Sequence, residues 1–322
     1  MQQGEDLTVA ALGEFGLIEA ITARLPGGAD VVLGPGDDAA VVRAVDGNVV
    51  VTTDLLVEGV HFRMDWSEAR DVGHKAAAQN LADIAAMGAR ATALVVGLAT
   101  PATLPQAWAF GLADGLGSEA ARVGAAVVGG DVVSSDRLTI AVTALGTLDG
   151  RRPVTRAGAH PGDVVAVTGR LGWSAAGYAV LSRGFRSPRV LVAAHRRPEP
   201  PYQQGPQAAL SGATSMVDVS DGLVADLRHV AVASGVVVNL VSTALEVADP
   251  LRDAAAAMGK DPLEWVLTGG EDHALAATFP ATVGAPPGWT TIGRVTEGDA
   301  EVLLDGRPVT GPGGWTHLGG PR

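Results

Sequence analysis

Short apolar, β-branched runs alternate with stretches of helical spacing along the chain, and these two periodicities predict its elements. Residues 38–44 and 48–54 read as strands on either side of Asp46-Gly47, a pair that favours a tight hairpin turn. Asp65-Trp66-Ser67-Glu68 resembles a capping box opening a helix, and Gly88 is placed to end it. Within that helix Ala77, Leu81, Ile84 and Ala85 recur at helical spacing and are expected in the core, while Asn80 and Asp83 share a different face. Residues 92–99, 125–128 and 138–148 read as strands, and 104–123 as a helix weakened by glycines. Beyond a polar, turn-rich stretch at 149–153, strands are expected at 164–168, 217–220, 236–241, 274–279, 292–295 and 301–304. Helices are expected at 174–182, 223–233 and 263–267, and the Arg- and Pro-rich stretch 183–207 reads as an exposed connection. The pattern predicts an α/β (α+β) protein with domains over 1–149 and 150–322.

Length agrees with two domains, since 322 residues is about twice a typical domain of roughly 150. Hydrophobic residues make up 47%, enough for a sizeable core, and no apolar run approaches the roughly 20 residues of a membrane helix. The first residues carry Glu5 and Asp6 and lack the basic-then-apolar pattern of a secretory signal. Cysteine is absent, which excludes disulfides, thiolate metal sites and a cysteine nucleophile, and a cytoplasmic location is expected.

Charge narrows the function. The net charge is −12 and the only lysines are Lys75 and Lys260, so no nucleic-acid partner is expected. An acidic chain that binds phosphate must overcome its own field, and divalent cations held by carboxylates do so. The lysine-bearing phosphate loop, the dinucleotide glycine fingerprint and the protein-kinase catalytic loop are all missing. Aspartates beside glycines and near strand ends take their place: Gly34-Pro35-Gly36-Asp37-Asp38, Thr52-Thr53-Asp54, Gly129-Gly130-Asp131 and Asp218-Val219-Ser220-Asp221-Gly222, with Asp83 on a helix. Each alone reads as a turn, a cap or a solvated face. Together they fit magnesium, which takes carboxylate, phosphate and water oxygens, and the start of the helix after Asp221 is positioned to offer amides to phosphate.

The stretches 13–18 (GEFGLI), 34–40 (GPGDDAA), 52–62 (TTDLLVEGVHF), 80–89 (NLADIAAMGA), 129–131 (GGD), 156–163 (RAGAHPGD), 218–223 (DVSDGL) and 269–272 (GGED) occur in an order that resembles the thiamine-monophosphate kinases. The wider superfamily includes aminoimidazole ribonucleotide synthetase and selenophosphate synthetase. The resemblance implies a two-domain fold of mixed sheets with flanking helices. The first domain would bind metal and ATP and pair in a homodimer, and the second would complete the ATP and substrate site. It implies direct phosphoryl transfer from ATP to thiamine monophosphate. By motif matching it implies Mg2+ ligands at Asp38, Thr52, Thr53, Asp54, Asp83, Asp131, Asp218 and Asp221. Gly130, Asp131, Arg156 and Ser220 would contact ATP, and His61, Glu271 and Trp315 the acceptor. Catalysis would centre on Asp54, Asp83, Asp131 and Asp218.

The acceptor oxygen of a phosphate monoester is anionic near neutrality, with a second pKa of about 6, so no strong general base is needed. Positioning and charge neutralisation are the expected means. Two alternatives are a related ATP-dependent synthetase, whose selenium branch the absence of cysteine disfavours, and a non-catalytic nucleotide-binding regulator, which the intact aspartate set disfavours.

Overall fold

The computed structural model describes residues 8–33, 41–44, 46–309, 311, 313 and 314. It divides into two compact units, Met1–Ile84 with Arg90–Gly150 and Ala85–Ala89 with Arg151–Arg322.

The first unit runs α1 (Val9–Thr22), β1 (Val31–Leu33), β2 (Val41–Val42), β3 (Val50–Val57), α2 (Ala69–Ala86), β4 (Arg90–Thr100), α3 (Gln106–Arg122), β5 (Ala126–Ser134) and β6 (Thr139–Thr147). Strands β3, β6, β4 and β5 lie side by side in that order, with β4 and β5 parallel and the other neighbours antiparallel. The hairpin expected around Asp46-Gly47 is not formed. β2 pairs with β1, and β3 pairs with β6. Asp46 instead accepts from Asn48 N at 3.1 Å and Gly150 N at 2.8 Å, which turns the chain away from β2.

Helix α2 is buried almost all round, so Asn80, at 0% exposure, is as deep as Ala77 and Ile84. Its start is not held by the expected box, because Glu68 N donates to Asp71 Oδ2 at 3.2 Å. The glycines that weaken α3 as an isolated helix let it approach α2. A Cβ on Gly73 would stand 2.1 Å from Leu112 O, and one on Gly115 would stand 2.3 Å from Arg70 O.

The second unit runs β7 (Val164–Thr168), α4 (Trp173–Ser182), α5 (Arg189–Arg196), α6 (Gln204–Leu210), β8 (Ser215–Val219), α7 (Leu223–Ser234), β9 (Val237–Leu240), α8 (Asp249–Met258), α9 (Pro262–Thr268), β10 (Ala274–Phe279), β11 (Thr290–Thr296), β12 (Glu301–Leu304) and β13 (Arg307–Pro308). A seven-stranded mixed sheet has the order β13-β12-β9-β11-β7-β10-β8. Its central strands are covered on both faces. Val165, Val167, Val217, Val219 and Ala276 join one core with α4, α7, α8 and α9. Val164, Ala166, Met216, Leu275 and Phe279 join another, closed by Trp289 edge-on to Phe279 at 5.4 Å. The stretch 183–207 is not an open connection, since α5 and the start of α6 lie in it and bury Leu191, Val192, His195 and Gly205.

Candidate functional site

Cross-strand partners share a face of a sheet, so the pairing of β3 with β6 sorts the predicted ligands. Thr52 and Asp54 pair with Ala144 and Val142, both fully buried, and so face the helices. Helix α2 meets that face: Thr52 Oγ1 donates to Asp83 Oδ2 at 2.7 Å. Thr53 points the other way, donating to Val142 O at 3.0 Å and accepting from Thr143 Oγ1 at 3.1 Å. Neither Asp54 nor Asp131 ends a strand, because β3 continues to Val57 and β5 to Ser134.

Gly130 and Asp131 stand apart from this group. Gly130, Val96, Val142 and Asp54 form one row of paired positions across the sheet, which puts β5 three strand spacings, about 14 Å, from β3. Asp131 belongs to the next row, with Gly97, Ala141 and Leu55, on the uncovered face. That face is apolar and open: Val51 is 63% exposed, Leu55 53% and Val133 50%. A bulky residue at 130 is excluded, since a Cβ there would stand 2.1 Å from Val96 O.

His61 lies just past β3, where its Nδ1 accepts from Val57 N at 3.0 Å, which leaves the neutral ring's proton on Nε2. Lys75, itself buried, donates to His61 O at 3.2 Å.

In the second unit, Asp218 lies one residue before the end of β8 and accepts from the ring of His273, whose Nδ1 is 3.2 Å from Asp218 Oδ2. The loop that carries Glu271 is folded back on the one that carries Ser220. Glu271 N donates to Ser220 O at 2.8 Å and His273 N to Val219 O at 3.0 Å. Glu271 and His273 both hold left-handed backbones, φ 64° and 53°. Such strain costs roughly 1–2 kcal/mol per residue and persists where the surroundings dictate the shape. Asp218, Ser220, Asp221 and Glu271 are thereby neighbours. The Arg156 backbone is anchored elsewhere. Its carbonyl accepts from Ser234 Oγ at 3.0 Å, at the far end of α7, about 17 Å from Ser220 along a helix of this length.

Two internal aspartates to which the motifs gave no role shape this region, Asp226 outside every motif and Asp272 at the end of GGED. Asp226 Oδ2 accepts from Asp221 N and Gly222 N, both at 3.0 Å. A carboxylate thus stands at the start of α7 and holds the two amides that precede the helix. Burial, aided by the charge of Asp218, pushes the Asp226 carboxyl up to about 7 against the pull of the Gly222 amide. Asp272 does the same at α4. Its Oδ1 accepts from Ser174 N at 2.8 Å, and burial pushes its carboxyl up to about 7 against the amides of Ser174, Gly172 and Trp173. The available signal for Asp226 is an acidic residue in a first helical turn. Asp38 and Trp315 lie outside the described residues. Among the described residues, no three acidic or histidine side chains converge tightly enough to hold a metal by themselves.

The chain matches the AIR synthase related protein N-terminal domain over residues 36–148 and the C-terminal domain over 160–305. It is 54% identical over 318 residues to the thiamine-monophosphate kinase of Mycobacterium tuberculosis, covering 98% of this chain and 95% of that one. With the Corynebacterium glutamicum thiamine-monophosphate kinase the identity is 42%, covering 96% and 94%. Its fold matches the crystal structure of the Stenotrophomonas maltophilia K279a enzyme of the same name with a TM-score of 0.81, at 33% identity, covering 92% of this chain and 98% of that one. It also matches AaThiL complexed with AMPPCP and TMP, with a TM-score of 0.80 at 34% identity, covering 97% and 99%. With both domains matched in order and identity this high over nearly its whole length, the chain belongs to the thiamine-monophosphate kinase family of AIR synthase related proteins.

Proposed function

We propose that the chain transfers the terminal phosphoryl group of ATP to thiamine monophosphate, giving thiamine diphosphate and ADP. The observation that carries this reading is the joined group Thr52–Asp83 beside Asp54, in a chain 54% identical to a named thiamine-monophosphate kinase. The donor set fits Mg2+, being all oxygen, with carboxylates and hydroxyls and no thiolate. In the first unit Thr52, Asp54 and Asp83 are the candidate ligands, with Asp38, Asp131 and the backbone of Thr53 as further ones, and in the second unit Asp218 and Asp221 are. When bound, magnesium neutralises charge on the transferring phosphoryl group.

The remaining roles belong to this chain's own groups. Thr52 fixes the orientation of the Asp83 carboxylate. Ser220 and Arg156 meet the nucleotide, Arg156 as a planar fork suited to phosphate oxygens. His61 Nε2 and Glu271 meet the acceptor, with Trp315 as a stacking partner. No residue acts as a covalent nucleophile, because the acceptor phosphate supplies an anionic oxygen already.

The open apolar face of the four-stranded sheet fits a second copy of this chain. Exposed Val51, Leu55 and Val133 line it. Asp131, on that same face and about 14 Å from the strand of Asp54 within one chain, would then lie at the seam between the two copies. Cytoplasm, where ATP is made and used, is the location that suits this reading.

Calorimetric titration with thiamine monophosphate, run beside ADP release on thiamine monophosphate and on thiamine, tests the proposal. Binding with ADP release on the phosphorylated acceptor alone is expected. Binding without release would make the chain a regulator, and equal rates on thiamine would refute the mechanism.

A further inference from the structure

Glu271 has a buried support that its assigned role does not account for. Ser174, 1% exposed, and His195, 6% exposed, meet beneath it. Their polar atoms and the Glu271 carboxylate form a small triangle. Ser174 Oγ lies 3.1 Å from His195 Nδ1 and 3.5 Å from Glu271 Oε2, and His195 Nδ1 lies 3.5 Å from the same Oε2. The Glu271 side chain itself is 38% exposed, so one oxygen reaches inward while the group still meets solvent.

Three features fix the apices independently. Ser174 is set by Asp272, whose carboxylate holds the Ser174 amide at 2.8 Å at the start of α4. His195 is set by close helix packing. A Cβ on Gly177 of α4 would stand 2.1 Å from Leu191 O and 2.8 Å from His195 Cβ, so α5 comes this near only because residue 177 is glycine. The Tyr178 ring, 5.8 Å from the imidazole, covers it. Glu271 is set by its left-handed backbone and by the bond from its amide to Ser220 O.

With a proton on Nδ1 the imidazole donates to Ser174 Oγ, and the hydroxyl then donates to Glu271 Oε2. A buried Ser–His–carboxylate set invites comparison with a nucleophilic triad, but Ser174 is too deep to reach a substrate. What the arrangement does is remove rotamer freedom from a half-exposed glutamate. A side chain held in place before binding loses less entropy when it binds.

We propose that Ser174 and His195 are positioning residues that hold the Glu271 carboxylate in the orientation that receives the cationic, phosphate-bearing acceptor. This rests on the reading of Glu271 as an acceptor contact. The nucleotide, on this account, is indifferent to His195.

Steady-state kinetics on His195→Phe, His195→Asn, Ser174→Ala and Glu271→Ala, with each substrate varied in turn, tests it. His195→Phe should raise the KM for thiamine monophosphate about tenfold and that for ATP less than about twofold. His195→Asn, which keeps a polar nitrogen near the place of Nδ1, should recover most of the loss. In the Glu271→Ala background, His195→Phe should add nothing further. Ser174→Ala, the smallest change, should show the same one-sided rise if the ring variants fold poorly. Multiplicative losses in the double variant, or equal rises for both substrates, would overturn the positioning role while leaving Glu271 as a contact. An unchanged acceptor KM in an active Glu271→Ala enzyme would overturn the acceptor reading itself.

Discussion

The Thr52 hydroxyl donates to Asp83 Oδ2 at 2.7 Å, joining strand β3 to helix α2 across 31 positions of sequence. The bond turns the carboxylate toward the strand and leaves the hydroxyl oxygen's lone pairs available. Replacing Thr52 by Val should lower turnover about tenfold and raise the magnesium concentration needed for half-maximal rate, because a partly buried carboxylate then loses its donor. Thr52→Ser should remain near the parent. Magnesium titrations of the three proteins check this.

Asp54 emerges on the same covered face, two residues along β3. Asp54→Asn should reduce turnover by at least about a hundredfold, the usual scale for losing a group that stabilises transition-state charge. Near-normal rates in a folded Asp54→Asn protein would remove Asp54 from the metal group.

The close contact of α2 and α3 predicts a stability effect unrelated to catalysis. Gly115→Ala places a Cβ 2.3 Å from Arg70 O and should cost about 1–3 kcal/mol, read as a fall in Tm. Gly16→Ala, in α1, meets nothing nearer than 3.6 Å and should be neutral or gain up to about 1 kcal/mol.

Asp272 makes the fold's stability depend on pH. Its carboxyl is pushed from 3.8 up to about 7 by burial, so the folded state binds the proton more tightly than the unfolded chain does. The stabilising contribution is complete below about 3.8 and is lost as pH rises through about 7. Asp272→Asn should flatten the decline in unfolding free energy over that window, by a few kcal/mol at most. Denaturant titrations at several pH values measure it.

If the open sheet face pairs with a second copy, Leu55→Asp should shift the sedimentation coefficient toward that of a single chain at micromolar concentration. A charge on an apolar interface core is poorly tolerated. A variant that sediments like the parent would move the interface elsewhere.

Strands β7 and β10 are readable from sequence to the residue, because a strand buried on both faces appears as a nearly unbroken apolar run. The aspartate-bearing strands are read short. Glycine and aspartate signal a strand's end, yet β5 carries Gly129, Gly130 and Asp131 in mid-strand, where close approach to Val96 O requires Gly130 and the uncovered face tolerates Asp131. Helix α5 is hidden by its arginines, although Leu191 and Val192 supply a buried face. The grouping of Thr52 with Asp83, and of Ser220 with Glu271, depends on pairings between distant segments, and motif order alone carries no such distances. Ser174 and His195 belong to no motif, and only packing brings them to Glu271.

Asp226 and Asp272 place carboxylates at the starts of α7 and α4. Many nucleotide sites grip bare phosphate with a helix's positive end, and here a carboxylate of the chain's own already stands at both ends bordering the Glu271 loop. A nucleotide stripped of its counterion would meet carboxylates and no welcoming dipole at this loop. On the proposed magnesium chemistry the species that docks would be the metal complex, and uncomplexed ATP, however abundant, would be a poor ligand and a poor competitor. The enzyme would follow the supply of the ion as closely as the supply of the nucleotide.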